Sequence, residues 1–450
     1  MPGPAMTDSA QLAPLADPSA PGAAAPAAVA VAPVTPPELG PALRWRTILI
    51  LGALTTVTPL TIDLYLPAFH AIAGDLHCTM AQVTLSVSSY FIGMAMGQLF
   101  YGPLLDRFGR RAPMYIGLGL YVLATVACIA APTVGWLIGF RYLEALGGCS
   151  AGVAAMSMVR DFFPVRETAK ILSLLMLILG VSPLLAPTVG GLIATTFGWH
   201  AVFYALIAMV VVVLLAVRFV LPVGYVPDPK VVLRPGPIAR VYLDILRDRQ
   251  FVTYTLASAC SFSGLFIYVA GSSVIFMDTF HTSPHVYGAI FAVIAAGFIG
   301  SNQVNIMVSR HVPGERIFAT AIVVQIVTGT IFTIGTYLGW FGLGATVVLL
   351  FCLLSCCGFT NPNGTALALG RVRTNIGSAA ALLGFLQMGI GATASSMVGM
   401  LNVNSVAPII AVETTMAVIG FAILILGVGW RRDQAPLPTP DAPAPGMVGH

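Results

Sequence analysis

The sequence predicts an all-α polytopic membrane protein with twelve transmembrane helices, and three observations lead to that fold class. Of the 450 residues, 57% are hydrophobic and only 8% are charged, whereas about 25% charged residues are usual in soluble domains. The mean hydropathy is +0.91. The apolar residues are gathered in runs of roughly 20, the length that an α-helix needs to cross a bilayer. Because backbone groups in lipid must be hydrogen-bonded within their own segment, these runs are predicted to be helices.

The chain contains twelve such runs between two polar tails. The tails, residues 1–42 and 433–450, are rich in Ala and Pro and are predicted to be disordered. The predicted spans are 46–69, 81–101, 112–131, 134–158, 170–194, 199–221, 251–276, 286–308, 317–337, 340–362, 378–401 and 407–430. The segment 223–250 is the longest between two spans, and it separates an N-terminal six-helix half, 43–222, from a C-terminal six-helix half, 251–432.

The basic residues predict the orientation of the spans. Except for Arg141, which lies inside the fourth span, all of the 21 Lys and Arg residues fall on the side of the membrane that holds both termini. The positive-inside rule identifies that side as the cytoplasm. We therefore expect a multi-pass protein of a bacterial-type inner membrane, with both tails and the 223–250 linker in the cytoplasm.

The connection between the second and third spans concentrates charge in a chain that has little. Residues 102–111 read Gly-Pro-Leu-Leu-Asp-Arg-Phe-Gly-Arg-Arg and are predicted to form a tight loop in water. Gly102 is expected to let one helix end approach a neighbour, and Gly109 to give the backbone the freedom to reverse. Asp106 can cap a helix or pair with an arginine. The arginines of the loop are Arg107, Arg110 and Arg111. A loop that only fixes topology is the alternative.

In residue order this loop resembles the signature loop between the second and third helices of the major facilitator superfamily. The resemblance implies the major facilitator fold, in which two six-helix halves alternate access to the two sides of the membrane. It also implies that the loop is a conformational latch, which holds the halves together in the outward-facing state. The C-terminal half carries a degraded copy of it, because aligning Gly97 with Gly300 places Arg107 on Arg310.

Asp63 is a charged residue late in the first span. Such a residue costs about 2.5 to 3.5 kcal/mol at a helix centre, so it usually faces a cavity or a partner. Residues 61–68 read Thr-Ile-Asp-Leu-Tyr-Leu-Pro-Ala, which resembles the Asp-x-Tyr-Leu-Pro-Ala segment of the bicyclomycin/chloramphenicol-resistance (Bcr/CflA) exporters. The resemblance implies that Asp63 couples proton binding to drug transport. A helix-end aspartate solvated at the outer interface is the alternative.

The fourth span carries two further charges. Arg141 and Glu144 are three residues apart and lie on one helix face, where they can pair. Residues 141–148 resemble the family's Arg-x-x-Gln-Gly-x-Gly motif, with Glu144 in place of the Gln and Ala145 in place of the first Gly. Because an arginine does not release its proton, Arg141 is expected to set the protonation of a nearby carboxylate or to orient the substrate. A static buried ion pair is the alternative. For Glu413, early in the twelfth span, an interfacial position is expected.

The fifth span contains a motif of proline and small residues. Residues 186–192 read Ala-Pro-Thr-Val-Gly-Gly-Leu, which resembles the antiporter motif Gly-Pro-x-x-Gly-Gly with Ala186 in place of its leading Gly. Pro187 is expected to bend the helix, and Gly190 and Gly191 to let another helix pack closely. The resemblance implies a helix that seals the outer side and is typical of exporters. Ordinary small-residue packing is the alternative.

Several kinds of machinery are missing from the sequence. The two lysines, Lys170 and Lys230, do not follow a glycine, so the chain has no Walker A loop for ATP. It has no His-Glu-x-x-His and no Cys-x-x-Cys either. We therefore expect a transporter rather than an enzyme, with no cofactor, no metal site and no nucleic-acid partner.

Together these features predict a proton-coupled multidrug or small-molecule exporter that works as a monomer in the lipid bilayer. Its expected partners are protons and a drug-like or metabolite substrate. An uptake symporter for a small metabolite and a non-transporting membrane sensor or scaffold are the alternatives. Candidate cavity residues, chosen by their depth alone, are Tyr65, Tyr90, Tyr142, Phe262, Phe266 and Gln387.

Overall fold

The computed structural model describes residues 40–221, 235–372, 376–400 and 405–429, and every regular element in these ranges is a helix. Almost all of the two predicted tails and residues 222–234 of the linker region lie outside the described residues. The first helix already begins at Pro41, inside the predicted N-terminal tail. The described part of the predicted linker is not a plain connection, because it contains a helix of its own.

Most of the spans consist of one long helix each. The first span is composite, with α1 (Pro41–Asp63), a 3₁₀ turn (Leu66–Ala68) and α2 (Phe69–Asp75). It is followed by α3 (Met80–Phe108), α4 (Arg111–Ile129), α5 (Val134–Phe162), α6 (Val165–Phe197), α7 (His200–Phe219) and the linker helix α8 (Pro235–Leu246). The remaining helices are α9 (Arg249–Ser273) with a π-helical turn (Val274–Thr279), α10 (Pro284–Val308), α11 (Gly314–Tyr337), α12 (Leu343–Leu369), α13 (Ile376–Met400) and α14 (Val406–Gly429).

The number of spans predicted from the sequence is confirmed. In the described ranges, twelve helical segments are long and apolar enough to cross a membrane, and each of them overlaps one predicted span. Local sequence explains several helix ends. Thr79 and Gln82 form a capping box at the start of α3, and the Asp248 side chain accepts a hydrogen bond from the backbone N–H of Phe251 at the start of α9.

The prediction that residues 102–111 all belong to a loop is wrong, because the loop is much shorter. α3 continues to Phe108, and only Gly109 and Arg110 separate it from α4. Because α3 has 29 residues, more than the roughly 20 that a bilayer requires, its charged last turns can project into water without leaving the helix. Gly102 does not make the predicted close approach, since a Cβ there would meet no atom within 4 Å. Gly109 has φ +83° and supplies the reversal, as predicted.

The helices of the two halves pack in the same pairs. In the N-terminal half, α5 contacts α1, α3 and α4, α7 contacts α1 and α4, and α6 contacts α1. In the C-terminal half, α12 contacts α9, α10 and α11, α14 contacts α9 and α11, and α13 contacts α9. The pairing of helices thus occurs twice along the chain, which is the contact pattern of a parallel repeat. Between the halves, α3 packs on α13 and α6 packs on α10.

The helix bundle has two ends that differ in charge. The basic face is the end where α1 begins and where Arg107, Arg110 and Arg111 lie, and the opposite face is the end that holds residues 64–79. One apolar core near the opposite face contains buried residues of both halves, from Leu66 and Phe91 to Phe276. Toward the basic face each half has a core of its own. The buried apolar contacts therefore join the halves at the opposite face.

Candidate functional site

Arg141 lies at the centre of a fully buried cluster between α1, α3 and α5. The guanidinium carbon is 4.4 Å from the ring centroid of Tyr65 and 4.4 Å from that of Tyr90, so the cation lies between two aromatic rings. Desolvated cation–π contacts of this kind are worth about 2 kcal/mol or more. Arg141 Nη2 also donates a hydrogen bond to the carbonyl oxygen of Thr61 over 3.5 Å. This bond links Arg141 to the last turn of α1.

Glu144 is the partner of Arg141. Arg141 Nη1 donates to Glu144 Oε2 over 2.7 Å, and Thr125 Oγ1 donates to the other carboxylate oxygen over 2.9 Å. Both members of the ion pair are fully buried. The pairing expected from their spacing of three residues is therefore present. Because the positive charge of Arg141 is balanced by Glu144, it does not neutralise a second carboxylate in this conformation.

Asp63 is placed differently, at the junction of the two halves. Only 6% of its surface is exposed, so it is not a solvated residue at a helix end. Among the described residues none forms a hydrogen bond or ion pair with its carboxylate, and no cation offsets its burial. Tyr268 of α9 and Tyr287 of α10 lie within electrostatic range of it. The carboxylate thus belongs to the N-terminal half and lies within electrostatic range of two tyrosines of the C-terminal half.

One glycine of the α6 pair packs against the residue that follows Asp63. α6 is one helix from Val165 to Phe197, with Pro187 inside it. Gly190 lies against the backbone of Leu64, and a Cβ at Gly190 would overlap the Leu64 carbonyl oxygen. The close packing expected of this glycine is therefore present, and its partner is the residue that follows Asp63.

The same segment of α6 also contacts the C-terminal half. A Cβ at Gly288, in the second turn of α10, would lie 2.7 Å from Thr188 Oγ1 and 3.0 Å from the Thr188 backbone nitrogen. A Cβ at Gly191 would lie 3.3 Å from that of Pro284. Real Cβ atoms essentially never approach another heavy atom within 3.0 Å. The halves are therefore so close here that a residue larger than glycine at position 288 would require the helices to shift.

Polar contacts also connect the halves at the opposite face, as two examples show. His70 Nε2 lies 2.5 Å from Asp278 Oδ1, with both side chains partly exposed. Ser273 Oγ donates to the carbonyl oxygen of Leu66 over 3.0 Å and is fully buried. The opposite face is therefore closed by both apolar packing and polar bonds in this conformation.

The loop predicted as a latch is held by ion pairs of the N-terminal half. Arg110 donates to Asp106 over 2.6 Å and to Asp161, at the end of α5, over 2.9 Å. Arg111 donates to the carbonyl oxygen of Leu221, after α7. For Asp106, the structure thus shows the predicted pairing with an arginine. Arg107 lies in the last turn of α3 and is half-buried.

The six predicted cavity residues do not share one environment. Tyr65 and Tyr90 are fully buried around Arg141, and Tyr142, the residue after Arg141, is half-buried. Phe266 stacks edge-on with Phe91 across the two halves, at 4.6 Å between ring centroids. The other two, Phe262 and Gln387, are buried within the C-terminal half, where Phe262 packs on Phe266 and Gln387 donates to Asn361 over 3.0 Å.

Sequence reasoning missed or misplaced several residues. Glu413 was expected at the interface, but it is 1% exposed and lies between packed helices. The pairing of His70 with Asp278 was not predicted, because the two residues are 208 positions apart and neither belongs to a recognisable motif. The approach of Tyr268 and Tyr287 to within electrostatic range of Asp63 had no signal in the sequence for the same reason.

Comparison with known proteins gives a consistent result. A sequence model of the Major Facilitator Superfamily matches residues 51–396. The chain is 31% identical over 378 residues to the "Uncharacterized MFS-type transporter YdgK" of Bacillus subtilis, covering 82% of this chain and 92% of the relative. It is 29% identical to a "Bicyclomycin resistance protein homolog" of Haemophilus influenzae, with coverages of 81% and 91%. It is 31% identical to the "Multidrug resistance protein MdtL" of Salmonella dublin, with coverages of 76% and 85%.

Solved structures share the fold at low sequence identity. A D-xylose-proton symporter superposes with a TM-score of 0.66 at 14% identity, covering 85% of this chain and 97% of that structure. A bacterial homologue of the human lysosomal transporter Spinster, in its inward-facing and unoccupied conformation, superposes with a TM-score of 0.62 at 14% identity, with coverages of 87% and 97%.

Proposed function

Because the chain belongs to the major facilitator superfamily and is a multi-pass secondary transporter rather than an enzyme, we propose that it exports drug-like small molecules in exchange for protons. The observation that carries the proposal is the position of Asp63, a buried carboxylate at the junction of the halves with no partner among the described residues. The relatives named for bicyclomycin resistance and multidrug resistance support drugs as the substrate class.

Proton exchange at Asp63 follows from its surroundings. An ionised carboxylate without a hydrogen bond or counter-charge is very costly in an apolar environment, so the group binds a proton instead. Asp63 therefore holds a proton while the opposite face is closed. When the halves separate around it, water reaches the carboxylate and stabilises its charged form. Proton binding and the conformational change are thereby coupled through Asp63.

Arg141 and Glu144 set the background charge of this site. Their internal pairing keeps the fourth span electrically neutral next to α1, and the Arg141 contact with the Thr61 carbonyl places that neutral pair two residues from Asp63. Loss of the Glu144 charge, by protonation, leaves Arg141 free to stabilise the ionised form of Asp63. Arg141 thus acts as a positioning and tuning residue, while Asp63 carries the transported proton.

The conformational cycle is alternating access. With both termini in the cytoplasm of a bacterial-type inner membrane, the opposite face is the outer side, and the present conformation is closed to the outside. The segment Pro187 to Gly191 seals it, and the 102–111 segment holds the halves together at the basic face in the outward-facing state. One monomer is sufficient for the cycle. A proton moving down 100 mV supplies roughly 2.3 kcal/mol, which sustains about a 40-fold substrate gradient.

The test uses the purified full-length protein in liposomes that contain a pH-sensitive dye. A proton gradient is imposed, and bicyclomycin or chloramphenicol is added to wild type, to Asp63→Asn, and to Asp244→Asn as a control at an exposed aspartate of α8. Drug-dependent proton efflux is expected from wild type and from Asp244→Asn, but not from Asp63→Asn.

Two results would overturn the proposal. Electrogenic drug transport by folded Asp63→Asn would remove Asp63 from the coupling mechanism. A lack of drug response, combined with proton entry driven by a metabolite, would identify an uptake symporter instead.

A further inference from the structure

Glu413 is a second carboxylate buried without a partner, and it lies in the other half of the molecule from Asp63. It is 1% exposed, and neither of its oxygens has a hydrogen-bond partner among the described residues. Glu144 is buried to the same degree, but its two oxygens bond Arg141 and Thr125. Burial alone therefore does not distinguish Glu413 from Glu144. The difference is that no group among the described residues would stabilise a negative charge on Glu413.

The carboxyl group has room only because a glycine faces it. α14 packs against α9, and a Cβ at Gly264 would lie 2.8 Å from Glu413 Oε1 and 3.2 Å from its carboxyl carbon. One turn earlier on α14, Ile409 contacts Gly271 of α9, where a Cβ would lie 3.1 Å from Ile409 Cγ2. Two glycines of α9 thus let α14 approach closely, and the Glu413 side chain lies in the seam between these helices.

The ionisable groups near this seam do not neutralise a carboxylate. Cys356 and Cys357 of α12 are within electrostatic range of Glu413, and both are thiols rather than cations. The π-helical turn that also contacts α14 contains Asp278, which pairs with His70. No cation among the described residues offsets the burial of Glu413.

The polar groups of the neighbouring helices bond one another instead. Ser261 of α9 donates to Gln325 of α11 over 2.7 Å, and it lies 2.9 Å from Thr360 of α12. From α11, Thr333 shares a hydrogen bond of 3.3 Å with Thr414, the neighbour of Glu413. These contacts leave the Glu413 carboxyl group as a buried acid in an apolar seam.

We propose that Glu413 is a second proton-binding site of this transporter, which holds a proton in the conformation closed at the opposite face and releases it when that face opens and water enters the seam between α14 and α9. The proton comes from water and returns to water, and the carboxylate is regenerated, so no other reactant is needed. The proton-bound state rests on the packing of Glu413 alone. Only the release step rests on the proposed function, proton-coupled transport.

The proton-bound state can be tested without transport. Infrared spectra of the purified full-length protein in lipid nanodiscs are recorded at neutral pH for wild type, Glu413→Gln and Asp63→Asn. The C=O stretching band of protonated carboxyl groups is expected to lose intensity in Glu413→Gln, independently of the loss in Asp63→Asn. An unchanged band in Glu413→Gln would show that Glu413 is ionised and would overturn the proposal. Because Gln is neutral and similar in shape, the melting temperature is expected to stay close to that of wild type.

The release step is tested by proton stoichiometry. In liposomes, protons released per drug molecule are expected to fall from two in wild type to one in Glu413→Gln, with drug transport retained. An unchanged ratio would overturn the release step. If no drug moves protons even in wild type, the proposed antiport is wrong. The infrared experiment then still decides whether Glu413 is protonated, because it does not depend on transport.

The Gly264→Ala variant, whose Cβ would press on the carboxyl group, is expected to shift the frequency of the same infrared band.

Discussion

The packing of Gly288 against Thr188 gives a direct test of how the two halves meet. Gly288→Ala adds one methyl group at a point where its Cβ would lie 2.7 Å from Thr188 Oγ1 and 3.0 Å from the Thr188 Cα atom. The hydroxyl can rotate away, but the backbone atoms cannot. The two helices, α6 and α10, belong to different halves, so the strain exists only while those halves are in contact.

The size of the effect follows from this geometry. Overpacking a tight contact by one methyl group costs about 1 to 3 kcal/mol. Because only the conformation closed at the opposite face bears this cost, the equilibrium between closed and open forms is expected to shift by about 5-fold to 150-fold toward the open form. Gly300→Ala is the matched control, since it lies on the same helix and a Cβ there meets nothing within 4 Å.

The shift can be measured as a distance between spin labels on the opposite face. Labels at Gly74 of α2 and at Trp340, between α11 and α12, are both exposed and belong to different halves. With the seven native cysteines replaced, double electron–electron resonance is expected to show a longer distance in Gly288→Ala but not in Gly300→Ala. Equal distance distributions in Gly288→Ala and wild type would refute the assignment of this contact as part of the closure.

Two further predictions concern the N-terminal half. Arg141→Lys is expected to destabilise the protein by about 2 to 4 kcal/mol, because an ammonium group cannot lie flat between two aromatic rings and also reach Glu144; an unchanged melting temperature would contradict this. Gly190→Ala is expected to destabilise by about 1 to 3 kcal/mol, because its Cβ would overlap the carbonyl oxygen of Leu64. Gly119→Ala, where a Cβ has open space, is its control in the same thermal unfolding measurement, and equal losses in both variants would argue against the packing role.

The sequence is sufficient to predict those properties that depend on a single segment of the chain. Each span is recognisable by its own apolar length, and Gly109 reverses the chain because its own backbone permits a positive φ. Arg141 and Glu144 could be paired in advance because three residues on a helix fix their relative positions. The extent of the loop after α3 was not predictable in this way, because a helix can extend into water beyond the membrane and its charged residues do not show where it ends.

The tertiary structure alone decided which charges have partners. Asp63 and Glu413 are both buried without a cation beside them among the described residues, while Arg110 bonds Asp161, 51 positions away. A carboxylate in a predicted span has the same sequence signature whether it is paired, solvated or isolated, because its surroundings come from helices that are distant in the chain. The sequence by itself thus determined that this protein spans the membrane twelve times and which residues carry rare charges. Only the packing of those helices decided which carboxylates lie in apolar surroundings, because desolvation depends on all neighbours at once.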